Sequence, residues 1–198
     1  MTEVDGQSQV GSFPPDRFGP SALMTPANLV TLARLALVPL LVAQIFADRV
    51  SWGTFILAFI LAATDGVDGY IARRQGSTRS GAFLDPLADK ALVLGAMFAL
   101  VATDAMWWVP VGIIAVRELV ISVYRSWWGR RGLAVPARGL GKVKTVTQEL
   151  AIGAVIAPAT AEFVGFGQAL LWIAVVLTVA SGAQYLLSGR AAVTEMDR

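Results

Sequence analysis

The sequence contains no cysteine and no histidine. Without cysteine there is no disulfide and no thiolate metal ligand. Without histidine, imidazole can act neither as a base nor as a ligand, so a general base has to be Asp, Glu, Lys or Tyr. A bound metal would be held by oxygen, which selects Mg2+, Mn2+ or Ca2+ over Zn2+. Charge is scarce as well: 15% of the 198 residues are charged, against 56% hydrophobic. That balance is too apolar for a water-soluble domain of this length and predicts an integral membrane protein. Residues 1–24 show no apolar period and are rich in Gly, Ser, Pro and Asp, so they read as a disordered cytoplasmic tail. They also lack the basic start and apolar stretch of a signal peptide.

After the tail come six hydrophobic segments, near 27–47, 52–73, 82–103, 107–125, 145–163 and 167–188. Most hold ~19–22 residues, enough to cross ~30 Å of hydrocarbon. The fifth is interrupted by Pro158 and carries Gln148 and Glu149 near its start. The pattern predicts an all-α integral membrane domain of six transmembrane helices over 25–189, with a short C-terminal tail at 190–198. With both ends on one side, that side collects Arg73, Arg74, Arg79, Arg125, Arg138, Lys142 and Lys144, whereas the opposite loops hold only Arg49. The positive-inside rule makes the basic side cytoplasmic. Trp52, Trp107 and Trp108 mark the outer boundary, and Trp127 and Trp128 the inner one. Arg34, Lys90, Arg117 and Glu118 remain in or near the spans, where each needs a partner or a wet cavity.

Four aspartates stand out against this background: Asp65, Asp68, Asp85 and Asp89. A carboxylate at the centre of a membrane helix costs roughly 2.5–3.5 kcal/mol, so four unpaired ones would cost on the order of 10 kcal/mol. They should lie near helix ends, hold cations, or both. At about 100° per residue, Asp65, Asp68, Gly69, Ala72 and Arg73 fall within an arc of about 140° on the second helix. Gly81, Asp85 and Asp89 follow at steps of four and form one stripe on the third helix. The second helix runs inward and the third outward, so the acidic faces can meet at the cytoplasmic interface. Asp85 precedes Pro86, and proline is best tolerated in a first turn, which predicts a helix start near 82–85. Two facing pairs of carboxylates can hold two hard cations ~3.5–4 Å apart. Such a site suits phosphoryl chemistry, and Gly69, Ala72 and Gly81 leave room for a nucleotide on the same face. The alternative is that such aspartates pair with arginines or line a water cavity.

The run Asp65-Gly-Val-Asp68-Gly69 through Ala72-Arg73 and Gly81 to Asp85 and Asp89 resembles the signature of the CDP-alcohol phosphotransferases. Eight signature positions fall in order over the stretch 65–89, with one difference: seven residues, 74–80, separate Arg73 from Gly81, where the family has one more. The resemblance implies a six-helix membrane enzyme that displaces CMP from a CDP-linked donor with an alcohol. It implies that Asp65, Asp68 and Asp85, with Asp89, ligate two divalent cations, Mg2+ or Mn2+, and that Asp89 is the general base. It further implies that Asp65, Asp68, Gly69, Ala72, Arg73, Gly81 and Asp85 bind the CDP moiety. Homodimerisation follows from the same resemblance, with support in the sequence only from small-residue pairs such as Gly95 and Ala99.

Three more stretches resemble the bacterial branch that makes phosphatidylglycerophosphate: Thr25 to Arg34, Arg117 to Ser122, and Gly141 to Gln148. That branch would take CDP-diacylglycerol as donor and glycerol 3-phosphate as acceptor. A phosphate-bearing acceptor needs cations, and Arg117, Arg125, Arg138, Lys142 and Lys144 cluster around the loop entering the fifth helix. The other reading of these residues is ordinary positive-inside charge or attraction to anionic lipid. Arg117 lies within a span and is either a functional group or half of a buried pair with a carboxylate on another helix. Its neighbour Glu118 points about 100° away and is expected to be a poor partner. Asn28, Thr31 and Arg34 share one stripe of the first helix. They line the acceptor side of the cavity or support the metal ligands, while capping or interhelical hydrogen bonding is an equal alternative for Asn28 and Thr31.

The expected protein is therefore a bacterial cytoplasmic-membrane enzyme, with both termini and the active site on the cytoplasmic side. Its partners would be CDP-diacylglycerol, glycerol 3-phosphate, membrane lipid and a second copy of itself, with no nucleic acid. The rival readings are a cardiolipin synthase or inositol-phosphate-using synthase of the same family, and, from another class, a cation channel or transporter.

Overall fold

The computed structural model describes residues 25–75, 79–130 and 140–196, with side chains described throughout except at 27, 65–75, 79–83, 128–130, 140, 164 and 188–196. Among the described residues there are six helices and no strand: α1 (Pro26–Ala47), α2 (Trp52–Gln75), α3 (Arg79–Ala102), α4 (Trp108–Arg130), α5 (Leu140–Ile156) and α6 (Val164–Met196). The expected tail at 1–24 lies outside the described residues. The reading of 190–198 as a short tail meets a helix that runs on to Met196.

Local chemistry sets the helix ends. Thr25 caps α1 by accepting from the Asn28 N–H at 3.2 Å, and Pro26 follows at a position whose N–H has no helical partner anyway. Ser51 does the same for α2, accepting from the Thr54 N–H at 3.1 Å. Between α3 and α4, Asp104 takes φ 55°, a left-handed turn conformation that aspartate tolerates better than most residues. Arg49 Nη1 reaches across to the Thr103 carbonyl at 3.0 Å and ties the α1–α2 and α3–α4 loops together.

Two helix bounds differ from the sequence expectation. α3 begins at Arg79, not near 82–85, so Pro86 sits inside the helix. Membrane-type helices tolerate such a proline because neighbouring groups satisfy the freed carbonyl. α5 begins earlier and ends at Ile156, two residues before Pro158. Proline disfavours helical backbone at the preceding residue, which here stops the helix instead of kinking it.

The helices form a ring in the order α1, α3, α4, α6, α5, α2, with α3 and α5 also touching across it. α1 packs along both α2 and α3, which contact each other only sparingly. Leu41 and Ile45 of α1, Met97 and Leu100 of α3, Ile114 of α4, Ile156 of α5 and Leu171 of α6 are almost fully buried and make up the centre. Gly95 and Ala99 belong to this interior. A Cβ on Gly95 would touch Val38 of α1 at 3.4 Å, and Ala99 is buried in the core. This pair therefore closes the α1–α3 seam and gives no support to a dimer face, because both positions are already occupied within the chain.

The outside is as apolar as the inside. Phe59, Val116, Leu119, Val123, Val176 and Leu187 are each more than 60% exposed, and none of them is polar. Large contiguous surfaces of this kind are rare on soluble proteins. Among the described residues two helical stretches, Asn28–Ala47 and Gly165–Leu187, are long and apolar enough to cross a membrane, and Trp52–Thr64 is a shorter apolar stretch. Charged side chains dilute the others: Asp85, Asp89 and Lys90 in α3, Arg117 and Glu118 in α4, and Lys142, Lys144 and Glu149 in α5.

Candidate active site

The polar stripe of α1 is the hinge of the site. Asn28, Thr31 and Arg34 are each only 1% exposed, although all three are polar. Burying such groups is costly unless they are hydrogen-bonded. Thr31 donates its hydroxyl to Asp85 Oδ1 on α3 at 3.0 Å. Arg34 Nε donates to Thr64 Oγ1 on α2 at 3.1 Å, and Thr64 in turn donates to the Leu61 carbonyl at 2.7 Å. Thr64 immediately precedes Asp65. One face of α1 thus serves both acidic helices.

Asp85 and Asp89 lie one turn apart on α3 and are both half-buried, and Ala88 between them is fully buried. A larger residue at 88 would push the neighbouring helices away from the carboxylates. Asp65, Asp68, Gly69, Ala72 and Arg73 fall on the last three turns of α2, and Gly81 on the first turn of α3. Their side chains lie outside the described residues, as does Arg138. Among the described residues no three carboxylates converge.

The basic side chains separate into two groups. Arg117 and Lys144 come together in the interior. Arg117 Nη1 donates to Glu118 Oε1 at 2.8 Å, and Lys144 Nζ donates to the same oxygen. Arg117 Nη2 reaches Ser181 of α6 at 2.8 Å. The expectation that Glu118 is a poor partner for Arg117 is corrected here. The angle between neighbours applies to their Cα–Cβ bonds, and these two long side chains bend toward a common point between α4, α5 and α6. Among the described residues the carboxylate paired with Arg117 is accordingly on its own helix. Breaking a buried pair of this kind by removing one partner costs about 3–5 kcal/mol.

Arg125 and Lys142, by contrast, are exposed. The Arg125 guanidinium lies over the Tyr185 ring, 5.5 Å from its centroid, and Tyr185 makes an edge contact with Tyr124. These two cations stand apart from the Arg117–Lys144 pair.

Several contacts escaped the sequence reading, including the partner that Lys90 was expected to need. Lys90 Nζ donates to Ser122 Oγ, and Ser122 donates to the Glu118 carbonyl. Lys90 is thereby fixed to α4 beside Asp89. Asp89 lies within electrostatic range of Lys144. Gly182 lies against Arg117, where a Cβ would come within 2.9 Å of Nε. On the far side of the interface Gln148 donates to Thr178 at 3.0 Å, both of them buried. The available signal for Ser122 was its i, i+4 spacing from Glu118, and for Gly182 its place beside Ser181.

A carboxylate stripe braced by a buried threonine thus stands in the same helix bundle as two cations gathered on a buried glutamate. The family model described as CDP-alcohol phosphatidyltransferase matches residues 24–180, and the chain belongs to this family. A protein of Shigella flexneri serotype 5b (strain 8401) named CDP-diacylglycerol–glycerol-3-phosphate 3-phosphatidyltransferase is 41% identical over 174 residues, covering 83% of this chain and 94% of its own length. Proteins of the same name from Shigella boydii serotype 4 (strain Sb227), at 41%, and Escherichia coli (strain K12), at 40%, cover the same shares. Membership in a family of transferases sets aside the channel or transporter reading.

Proposed function

We propose that this chain transfers a phosphatidyl group from CDP-diacylglycerol to sn-glycerol 3-phosphate, releasing CMP and forming phosphatidylglycerophosphate. The observation that carries the reading is the 40–41% identity over 83% of the chain to relatives that bear this activity in their names. The braced carboxylate of Asp85 is its structural counterpart.

The donor set fits hard cations. Asp85 and Asp89 offer only oxygen, sit one turn apart, and have no thiolate or imidazole to compete with them. Asp65, Asp68, Asp85 and Asp89 would hold two divalent cations, Mg2+ or Mn2+, whose charge would neutralise the pyrophosphate and the departing CMP. Thr31 keeps Asp85 in one orientation. Asp89 takes the proton from the acceptor hydroxyl as the oxygen attacks the lipid-side phosphorus. A new P–O bond forms to glycerol 3-phosphate as the P–O bond to CMP breaks. Gly69, Ala72, Arg73 and Gly81 would take the cytidine diphosphate.

Arg117 and Lys144 would bind the acceptor's phosphate. Two cations share one carboxylate there, so the buried cluster carries an excess of positive charge. Arg125, Arg138 and Lys142 would attract the anion from the cytoplasm. The acyl chains of the donor would enter sideways. A cleft of about 550 Å³ between α1, α2, α3, α5 and the start of α6 is walled by Phe55, Phe59, Leu92, Leu150 and Phe166, and it extends to Ala62 and Ala63, close in sequence to Asp65. The membrane would be the bacterial cytoplasmic one, with both termini and the site on the cytoplasmic side. A homodimer would use a face other than Gly95 and Ala99.

The test is CMP release from CDP-diacylglycerol by purified protein with Mg2+, with and without glycerol 3-phosphate. Release that depends on this acceptor supports the reading. Release only with phosphatidylglycerol or an inositol phosphate would move the acceptor within the family.

A further inference from the structure

Glu118 carries the wrong charge for a site that takes a phosphate, yet it stands at the centre of the basic cluster. Its Oε1 accepts from both Arg117 and Lys144. Its backbone carbonyl accepts from Ser122, which holds Lys90. Ser181 fixes the other end of the Arg117 guanidinium. A single residue of α4 therefore connects to α3, α5 and α6, and Arg117, Lys144 and Lys90 are all oriented with reference to it.

We propose that Glu118 is the positioning residue of the acceptor site, holding Lys144 and Arg117 at the separation an acceptor phosphate requires. The inference rests on the reading of those two cations as the acceptor's ligands. Two like charges in a low-dielectric interior repel one another strongly. A carboxylate between them removes that repulsion and leaves further donors for a ligand. An ammonium has three donors, and Lys144 commits one of them to Glu118. Arg117 Nε is buried with no hydrogen-bond partner among the described residues.

Charge and position predict opposite signs for the same substitution. If Glu118 acted only through its charge, Glu118→Gln would raise the local positive potential and tighten binding of the anionic acceptor. If it acts by position, the same change releases Lys144 and Arg117 and weakens acceptor binding. Glu118→Asp separates the two further, because it keeps the charge and withdraws the oxygen by one methylene. Charge alone predicts no change in that variant, whereas positioning again predicts weaker binding.

The experiment is steady-state CMP release by the full-length enzyme and both variants, with each substrate varied in turn. The expected result is a KM for glycerol 3-phosphate raised about tenfold or more in Glu118→Gln, the scale of one charge-assisted hydrogen bond. Glu118→Asp is expected to show a smaller rise in the same direction, and the KM for CDP-diacylglycerol is expected to stay within about twofold in both. Lys144→Ala supplies an independent check, since removing Glu118 in that background should add much less than it does alone. A lowered or unchanged acceptor KM in both variants would overturn the proposal, as would an equal rise for both substrates. If Glu118→Gln fails to fold, Glu118→Asp, which keeps the compensating charge, decides alone. Wild-type enzyme that releases no CMP with glycerol 3-phosphate would overturn the proposed function itself, and a wild-type enzyme that does so while both variants match it would overturn only the role of Glu118.

Discussion

Thr31 of α1 donates to Asp85 of α3 at 3.0 Å from a position that is 1% exposed. A buried hydroxyl so placed orients that carboxylate. Replacing Thr31 by Val keeps the shape and removes the donor. A hydrogen bond to a charged group is worth about 1.5–3 kcal/mol, so CMP release by Thr31→Val should fall by one to two orders of magnitude. More Mg2+ should also be needed for half-maximal rate. Thr31→Ser should retain most of the activity. A Mg2+ titration that is identical for wild type and Thr31→Val would refute the orienting role.

The aspartates are predicted to be indispensable and to have no role in insertion. Asp68→Asn and Asp85→Asn should each abolish turnover while reaching the membrane in normal amount. Chelation should silence the wild-type enzyme, and Mg2+ or Mn2+ should restore it. Robust metal-dependent turnover in both variants would sink the assignment of these residues as ligands.

Arg34 is the largest of the almost fully buried side chains and donates to Thr64 just ahead of Asp65. Arg34→Met keeps most of the volume and loses the donors of the guanidinium. A loss of about 1.5–3 kcal/mol of stability is expected from the Thr64 contact alone. Arg34→Lys should rescue little, because a point charge does not reproduce the planar fork. Thermal unfolding in detergent measures this directly, and an unchanged midpoint in Arg34→Met would show that the contact carries no stability.

Two glycines should respond in opposite ways. A Cβ on Gly182 would meet Arg117 Nε at 2.9 Å, whereas one on Gly112 would meet nothing within 4 Å. Gly182→Ala is therefore expected to displace Arg117 and raise the KM for glycerol 3-phosphate severalfold. Gly112→Ala should leave kinetics untouched and stabilise α4 by up to about 1 kcal/mol, the helix-propensity gain. Equal kinetics in the two variants would argue against a fixed position for Arg117.

Much of the site was legible from spacing. The i, i+3 and i, i+4 intervals placed Asp85 with Asp89, and Asn28 with Thr31 and Arg34, and the helices confirm those shared faces. Periodicity fixes which residues of one helix look the same way. It does not fix which helix they look at. That α1 serves α2 and α3 at once, through Arg34–Thr64 and Thr31–Asp85, could not be read from intervals.

Composition and pattern alone determined that this chain is helical and apolar on its outside, and that any metal it binds must be held by oxygen, because cysteine and histidine are absent. They also located the acidic stripe and a set of five cations, two of which, Arg117 and Lys144, the fold brings together at Glu118. Only the tertiary structure decided how the charges pair. Arg117 and Lys144 meet at Glu118 because α4, α5 and α6 converge there, and long flexible side chains reach far beyond the angles their Cα atoms suggest. Likewise Gly95 and Ala99 read in the sequence as support for a second copy, and in the fold they form an internal seam. The packing of α1 on α3 settled that choice, since a small residue permits close approach but does not say whose.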